Sequence, residues 1–215
     1  MQIRNRHNAV LQVNNIALTK RTTAAVFGGM CGVLKSLVPY DRALLSLYDA
    51  DRDDLQIVQV FGSRINSFFH VGQRLSRNST QSGWAFEHKA TMFRGDLRKD
   101  YRFSLDSTGL QEGFVSICSV PLIVWGQSIG VVTVAAAQRN RLSMGHAEIV
   151  EEVSNQIALA INSHTLRCPT HANSKLLCPR CIGATGGKMT VAKHRANLSD
   201  WGKKGGRGHK QSDFA

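Results

Sequence analysis

The sequence predicts an α+β domain in which helices precede and follow a set of antiparallel strands. Two pairs of β-prone segments are each joined by a short turn, which is typical of antiparallel hairpins. The first pair is 42–48 and 55–61, and the second is 114–124 and 128–137, joined by Trp125-Gly126-Gln127. Apolar residues recur at helical spacing before the first pair and after the second. At 215 residues and 42% hydrophobic composition, the chain is long enough for one well-buried core and a small appendage.

The N-terminal part of the chain predicts a flexible lead followed by a helix. Residues 1–19 begin with a polar stretch rich in Asn and Gln, without a sustained apolar period. From about Thr19 two adjacent apolar stripes follow helical spacing, so this helix is expected to be apolar around much of its circumference. Pro39 ends it. The stripes comprise Val26, Met30, Val33 and Leu37, and Phe27, Cys31, Leu34 and Val38.

Short elements are predicted between the two hairpins. A brief strand is expected near 71–75, and a second at Met92-Phe93. Between them, Ser79 or Thr80 is expected to cap a helix that ends at His88, because a hydroxyl accepts hydrogen bonds from first-turn amides. Residues 96–111 have no clear period and are expected to form a long excursion over one side of the sheet, as loops that close binding sites do.

The last predicted helix runs from about Met144 to Ser163. Ile149, Val153, Ile157 and Ile161 lie at four-residue steps along it. The predicted order is therefore a helix, two strands, a strand–helix–strand unit with a long loop, two strands and a final helix.

Several segments, in this order, resemble the GAF domain family. They are Leu37-Val38-Pro39-Tyr40-Asp41-Arg42, Gly83-Trp84-Ala85-Phe86-Glu87-His88, Asp96-Leu97-Arg98-Lys99-Asp100 with Arg102-Phe103, and Ser119-Val120-Pro121-Leu122. The resemblance covers about residues 20–163. It implies an antiparallel sheet with the first and last helices packed on one face, and a small-ligand pocket under the long loops on the other. It also implies a homodimer formed through the terminal helices.

A pocket of this kind needs apolar walls and a few polar groups that orient the ligand. The candidate ligand-binding residues are Trp84, Phe86, Phe103, Ser116 and Ser119. The alternative interpretation is that these aromatic residues belong to the core, where buried aromatic side chains serve packing.

The residues that specialised members of the family require are not found, and the chain is predicted not to be an enzyme. No cysteine lies between Cys31 and Cys118, which argues against a covalently bound tetrapyrrole. The stretch Asp96–Glu112 does not reproduce the family's cyclic-nucleotide pattern. Free methionine sulfoxide reductases need cooperating pocket cysteines, and Cys118 has no evident partner. Phosphate-loop, zinc-protease and nucleophile-elbow motifs are also missing from the sequence. A reductase that uses Cys118 or Cys31 is kept as a third hypothesis.

A cysteine and histidine cluster follows the predicted domain. Cys168 and His171 form one pair and Cys178 and Cys181 another, each with two intervening residues. This spacing suits one tetrahedral zinc ion, so residues 164–185 are predicted to form a small motif that resembles zinc knuckles. The alternatives are thiols without a metal, or a redox pair at Cys178 and Cys181.

Residues 186–215 are predicted to be a basic, flexible tail. From residue 164 onward there are 10 Lys and Arg and 2 Asp and Glu, so this segment contributes +8 of the net charge of +12. Such charge attracts nucleic-acid phosphates or acidic proteins in a salt-dependent way, and Trp201 among these cations could stack on a base. Nucleic acid is therefore a candidate partner.

The leading hypothesis is a small-molecule sensor in signal transduction, a homodimer that acts through its zinc-binding tail or through a separate signalling partner. Its runner-up is a nucleic-acid-associated transcriptional regulator whose tail does the binding. The sequence has neither a signal-peptide pattern nor about 20 consecutive apolar residues. A cytoplasmic location without membrane insertion is expected.

Overall fold

The computed structural model describes residues 2–20, 22–62 and 68–165. From residue 166 onward, the zinc-binding motif predicted for residues 164–185 and the basic tail predicted for residues 186–215 lie outside these ranges, and the predictions made for them stay predictions. In the described part of the chain no helix is long and apolar enough to cross a membrane.

The described residues form five helices and six strands. The helices are α1 (Gln2–Thr19), α2 (Thr23–Lys35), α3 (Gln81–His88), α4 (Asp106–Gln111) and α5 (Met144–Thr165). The strands are β1 (Arg42–Asp49), β2 (Asp54–Gly62), β3 (Arg74–Leu75), β4 (Met92–Arg94), β5 (Ser116–Val124) and β6 (Gln127–Ala136).

The strands form one antiparallel sheet in the order β3-β2-β1-β6-β5-β4. Both predicted hairpins are present, as β1–β2 and β5–β6. The second turns through Trp125 and Gly126, whose φ angles are 49° and 76°. Positive φ at both central residues is the backbone geometry of the tight hairpin turn that matches the twist of the flanking strands. The predicted α+β class is confirmed.

One face of the sheet carries the larger core. Alternate residues of β1, β5 and β6 point to this face and pack with the apolar faces of α2 and α5. The prediction that the first predicted helix and the last helix lie on one face is therefore confirmed. Tyr40 extends this core, and its buried hydroxyl donates a hydrogen bond to the carbonyl oxygen of Cys31 at 2.7 Å. The buried strand residues involved are Ala43, Leu45, Cys118, Val120, Leu122, Val124, Val132, Val134 and Ala136.

Residues 2–19 differ from the predicted flexible lead, because they form α1. Ala9, Val13, Ile16 and Ala17 recur at steps that place them on one helix face. Ala9 and Val13 are buried, and Ile16 lies so close to α2 that a Cβ added at Gly29 would be 3.1 Å from its Cγ2 atom. A short apolar stripe in a polar sequence is sufficient here because Gly29 of α2, which has no side chain, lets Ile16 approach the helix closely.

The opposite face of the sheet is covered by α3 and the segment that contains α4. Thr80 caps α3, as predicted, by accepting a hydrogen bond from the amide of Gly83 at 2.9 Å. Residues 96–111, predicted to be an irregular excursion over the sheet, contain the six-residue helix α4. Phe86 of α3 packs with Leu44, Ile57 and Val131 of the sheet in a second, smaller apolar cluster.

Ser154 on α5 provides a stability prediction. The residue is fully buried, and within the described residues its hydroxyl has no hydrogen-bond partner. A buried hydroxyl without a partner costs about 1–3 kcal/mol, and alanine is also the better helix former. We expect Ser154→Ala to raise the free energy of unfolding by about 1 kcal/mol in urea denaturation. A lower free energy would show that the hydroxyl contributes favourable contacts.

Candidate functional site

A cavity lies between the second face of the sheet, α3 and the segment 97–114. Its volume is about 60 Å³, which is small beside the roughly 300–1,000 Å³ of pockets for drug-sized ligands. The walls are mainly apolar. They include Leu44, Leu75, Leu97, Leu105, Phe114 and Ile117.

Strand alternation decides which sheet residues face the cavity. On β6, Thr133 and Ala135 line it, whereas Val132 and Val134 belong to the core under the terminal helices. Ile117 of β5 lines the cavity for the same reason. The floor is therefore built from every second residue of the central strands.

A buried ion pair holds the cover of the cavity, the segment 97–114 that contains α4, against the sheet. Arg94 at the end of β4 donates two hydrogen bonds to Asp106, with Nη1 2.6 Å from Oδ2 and Nη2 2.7 Å from Oδ1. The side chains are 1% and 6% exposed. Burial favours the neutral form of Asp106, but hydrogen bonds from Arg94 and from the amides of Phe103 and Arg102 outweigh it and lower the pKa of this carboxyl group. The pair ties α4 to the sheet.

A chain of hydrogen bonds connects this ion pair to the cavity wall. Arg94 Nε donates to Gln81 Oε1 at 2.6 Å, and Gln81 Nε2 donates to Ser119 Oγ at 3.2 Å. Ser119 Oγ lies 2.9 Å from Thr133 Oγ1, which lies 3.0 Å from Ser82 Oγ. Gln81, Ser82 and Thr133 all line the cavity.

Arg42 introduces a cation at another part of the wall. It is 3% exposed, and its Nη1 atom lies 3.4 Å from Glu112 Oε2. Its Nη2 atom donates to the carbonyl oxygen of Phe69, and the amide of Phe68 donates to Glu112. Arg42 and Glu112 thus tie together β1, the segment after α4 and the chain at Phe68 and Phe69.

The five predicted ligand-binding residues are spread over several environments, and none is among the described residues that line this cavity. Trp84 lines a second, more open depression of about 350 Å³ beside Met144. Phe86 packs on Tyr48, with ring centroids 4.8 Å apart, and Phe103 lies over the Arg94 guanidinium at 5.0 Å. Ser116 donates to the carbonyl oxygen of Arg94 at 3.4 Å, and Ser119 belongs to the hydrogen-bond chain. Their ligand-binding roles stay predictions.

Ser116 and Ser119 are three residues apart on β5, so strand alternation places them on opposite faces of the sheet. Ser116 shares the parity of Cys118, which faces the terminal helices, whereas Ser119 shares the parity of Ile117 on the cavity side. The period-two alternation of β5 was therefore a sequence signal that only one of the two serines lies on the cavity side of the sheet. Nothing in the local sequence indicated Arg42 or Asp106, because their positions depend on contacts between distant segments.

The two cysteines in the described part of the chain are predicted to be unreactive in the native state. Cys31 of α2 and Cys118 of β5 are each 1% exposed and belong to the larger core, between the sheet and the helices α2 and α5. Burial raises the pKa of each thiol to about 12. Because the thiolate is the nucleophile, we expect iodoacetamide at pH 8 to leave both unmodified until the protein is denatured, as peptide mass spectrometry would show. Rapid native labelling of Cys118 would contradict the burial.

The fold is similar to solved structures of diverse function. One is a free methionine-R-sulfoxide reductase from Neisseria meningitidis in complex with its substrate, at 17% identity, covering 74% of this chain and 89% of that chain, with a TM-score of 0.62. Another is the GAF domain of a phosphoenolpyruvate-protein phosphotransferase from Coxiella burnetii (14% identity, 75% and 94% covered, TM-score 0.65). A third is the GAF domain of a two-component sensor histidine kinase from Bacillus halodurans (19% identity, 63% and 90% covered, TM-score 0.56). No curated protein matches the chain.

These structures correct the prediction that the chain is not an enzyme. That prediction is wrong, because a structure to which the chain is similar over most of its length is a reductase. At 17% identity the likeness shows the shared fold, and it assigns no reaction to this chain.

The family assignment rests on a direct match of the sequence. The family model described as GAF domain matches residues 21–162, which is more than half of the 215-residue chain. Solved GAF domains share the fold. The chain therefore belongs to the GAF domain family.

Proposed function

We propose that this chain is a small-molecule sensor in signal transduction and that the cavity between the sheet, α3 and the segment 97–114 is its ligand site. The supporting observation is the convergence of Arg42, Gln81, Ser82 and Thr133 on one largely apolar cavity. A few polar groups among apolar walls are what a small-ligand site requires. The family also includes sensor proteins, such as the histidine kinase whose GAF domain has this fold.

The cover of the cavity is the element through which a ligand would act. Asp106 joins it to β4, and Glu112 joins its end to β1. The present volume of about 60 Å³ admits a molecule of only a few non-hydrogen atoms, so a larger ligand must move the cover. A ligand shifts a conformational equilibrium only by its difference in affinity for the two states. The proposal therefore requires the positions of α4 and Glu112 to depend on ligand.

The test is a ligand screen with a variant whose cavity is filled. Ala135 lines the cavity, whereas Ala24 is exposed on α2. Native mass spectrometry of the full chain would detect retained molecules, and thermal shift would screen a metabolite library. We expect Ala135→Leu to abolish binding and Ala24→Leu to preserve it. Ligands that bind equally to all three proteins would contradict the proposed site.

We also propose that Cys168, His171, Cys178 and Cys181 bind one zinc ion, on the basis of their spacing alone. The chain is further proposed to be a homodimer formed through the terminal helices of the GAF domain. Native mass spectrometry without chelators would report both properties. We expect a dimer with one zinc ion per chain, and loss of the zinc in a Cys178→Ser/Cys181→Ser variant. A metal-free wild type or a monomer would contradict the corresponding proposal.

A nucleic-acid-associated transcriptional regulator is the second candidate function, favoured by the net charge of +8 from residue 164 onward. Phosphate binding by Lys and Arg weakens steeply as salt rises. We expect DNA or RNA binding, if it is the function, to fall between about 50 and 200 mM salt and to be lost when residues 164–215 are deleted. Undiminished binding after the deletion would contradict this role for the tail.

A further inference from the structure

We propose that the cavity selects small ligands carrying a hydrogen-bond acceptor oxygen, such as a carbonyl, and that the Ser82 hydroxyl donates to it. The inference rests on the proposed function, because it assigns a ligand class to the same cavity. It follows from the direction of the hydrogen bonds that begin at Arg94 and end at Ser82.

Arg94 determines the direction at the start of the chain. Its Nε group can only donate, so Gln81 presents its amide oxygen to Arg94. The Gln81 amide nitrogen then has two protons, which it donates to the carbonyl oxygen of Met92 at 3.0 Å and to Ser119 Oγ at 3.2 Å. The orientation of the Gln81 amide is therefore set by its partners on both sides.

The hydroxyl groups transmit this direction, because each has one proton to donate. Ser119 accepts from Gln81 and donates its proton to Thr133 Oγ1. Thr133 in turn donates to Ser82 Oγ. Ser82 accepts this hydrogen bond, and the described residues provide no acceptor for its own hydroxyl proton. Ser82 is 7% exposed and lines the cavity.

The opposite direction is less favourable for a physical reason. If Ser82 donated to Thr133, and Thr133 to Ser119, the remaining proton would belong to Ser119. Ser119 is 0% exposed, and a donor without an acceptor in such a place has no ligand or water to satisfy it. The favoured direction instead leaves the unused donor on Ser82, which lines the cavity. If Ser82 and Ser119 both donated to Thr133, the unused donor would be on Thr133, which lines the same cavity, so a ligand there still meets a hydroxyl donor.

This arrangement discriminates between ligands. A carbonyl, carboxylate or sulfoxide oxygen can accept from Ser82, whereas a hydrocarbon of the same shape leaves the donor without a partner. A site built to hydrogen-bond a ligand disfavours the analogue that lacks the bonding group. Ser82, at the start of α3, is then a specificity-determining residue, with Gln81, Ser119 and Thr133 as positioning residues.

The experiment uses the full chain and two probes of nearly equal shape, 2-butanone and 2-methyl-1-butene, in which a methylene group replaces the carbonyl oxygen. Their dissociation constants are measured by NMR from the methyl signals of Ile117 and Leu97, which line the cavity. The proteins are the wild type, Ser82→Ala, and the matched control Ser154→Ala, a buried serine on α5.

We expect Ser82→Ala to weaken binding of the ketone about fivefold, as for the loss of one hydrogen bond, and to change binding of the alkene less than about twofold. Ser154→Ala should leave both unchanged. Equal effects on both probes, or none, would overturn the role of Ser82 while leaving the cavity as a ligand site. If neither probe shifts the cavity methyl signals of the wild type, the ligand site itself is overturned.

A second measurement needs no variant and decides the question if Ser82→Ala does not fold. The carbonyl carbon of [2-13C]butanone resonates at higher frequency when its oxygen accepts a hydrogen bond. We expect the ketone bound to the wild type to resonate near its position in water. A position like that in an apolar solvent would show that no donor reaches the oxygen, and the role of Ser82 would be overturned.

Discussion

Replacing Asp106 by alanine is expected to lower the free energy of unfolding by about 3–5 kcal/mol, the cost of removing one partner from a buried ion pair. The Arg94 guanidinium is 1% exposed and donates two hydrogen bonds to this carboxylate. Without Asp106 the cation stays buried and uncompensated. The amides of Arg102 and Phe103 lose their acceptor as well. Urea denaturation measures the loss.

The control is a variant that removes both charges, Arg94→Met/Asp106→Leu. Replacing a whole buried pair by apolar residues is often neutral or stabilising, so we expect this variant to recover much of the stability lost in Asp106→Ala. Because Arg94 also supports Gln81, the recovery should be incomplete. A double variant less stable than Asp106→Ala would show that the pair itself is not the source of the effect.

The same pair predicts a pH dependence. The pKa of Asp106 is lowered in the folded state, so the folded protein binds the proton less readily than the unfolded chain, whose Asp pKa is about 3.9. The stabilisation is therefore fully present above the unfolded pKa and is lost as the pH falls through the folded pKa. We expect the stability difference between wild type and Asp106→Ala to shrink below about pH 4.

Gly83→Ala is expected to destabilise the domain by about 3 kcal/mol, the upper part of the usual range for overpacking. A Cβ at this position would lie 2.1 Å from the carbonyl oxygen of Arg77. The obstacle is backbone and not the end of a flexible side chain, so α3 must shift away from the preceding turn. Since Gln81 and Ser82 precede Gly83 on this helix, the cavity wall is expected to shift with it.

Gly32→Ala is the matched control for Gly83→Ala, because both glycines are helical. Gly32 is exposed on α2, and a Cβ there would meet nothing within 4 Å. Replacing an exposed helical glycine by alanine should stabilise the helix by about 1 kcal/mol. Thermal denaturation of the two variants should therefore show shifts of opposite sign. If Gly83→Ala did not lower the melting temperature, the backbone at Arg77 would have to move aside at little cost in free energy.

Local pattern was sufficient for most elements of the domain but failed where an element depends on its partner. The β5–β6 hairpin follows from two β-prone runs around Trp125 and Gly126, and α3 follows from a threonine cap. The helix α1 was missed, because its few apolar residues become significant only where they pack against α2, as Ile16 does at Gly29. The likeness to a reductase likewise became visible only from the three-dimensional fold.

The sequence by itself determined the α+β class, the two hairpins and the family, because these depend on periodicity and on residues close together in the chain. Only the tertiary structure decided the composition of the cavity. Arg42 and Glu112 are 70 residues apart, and Ser82 and Thr133 are 51 apart. Such groups meet because the sheet and the segment that covers it place them together, and a single sequence carries no local signal of that contact.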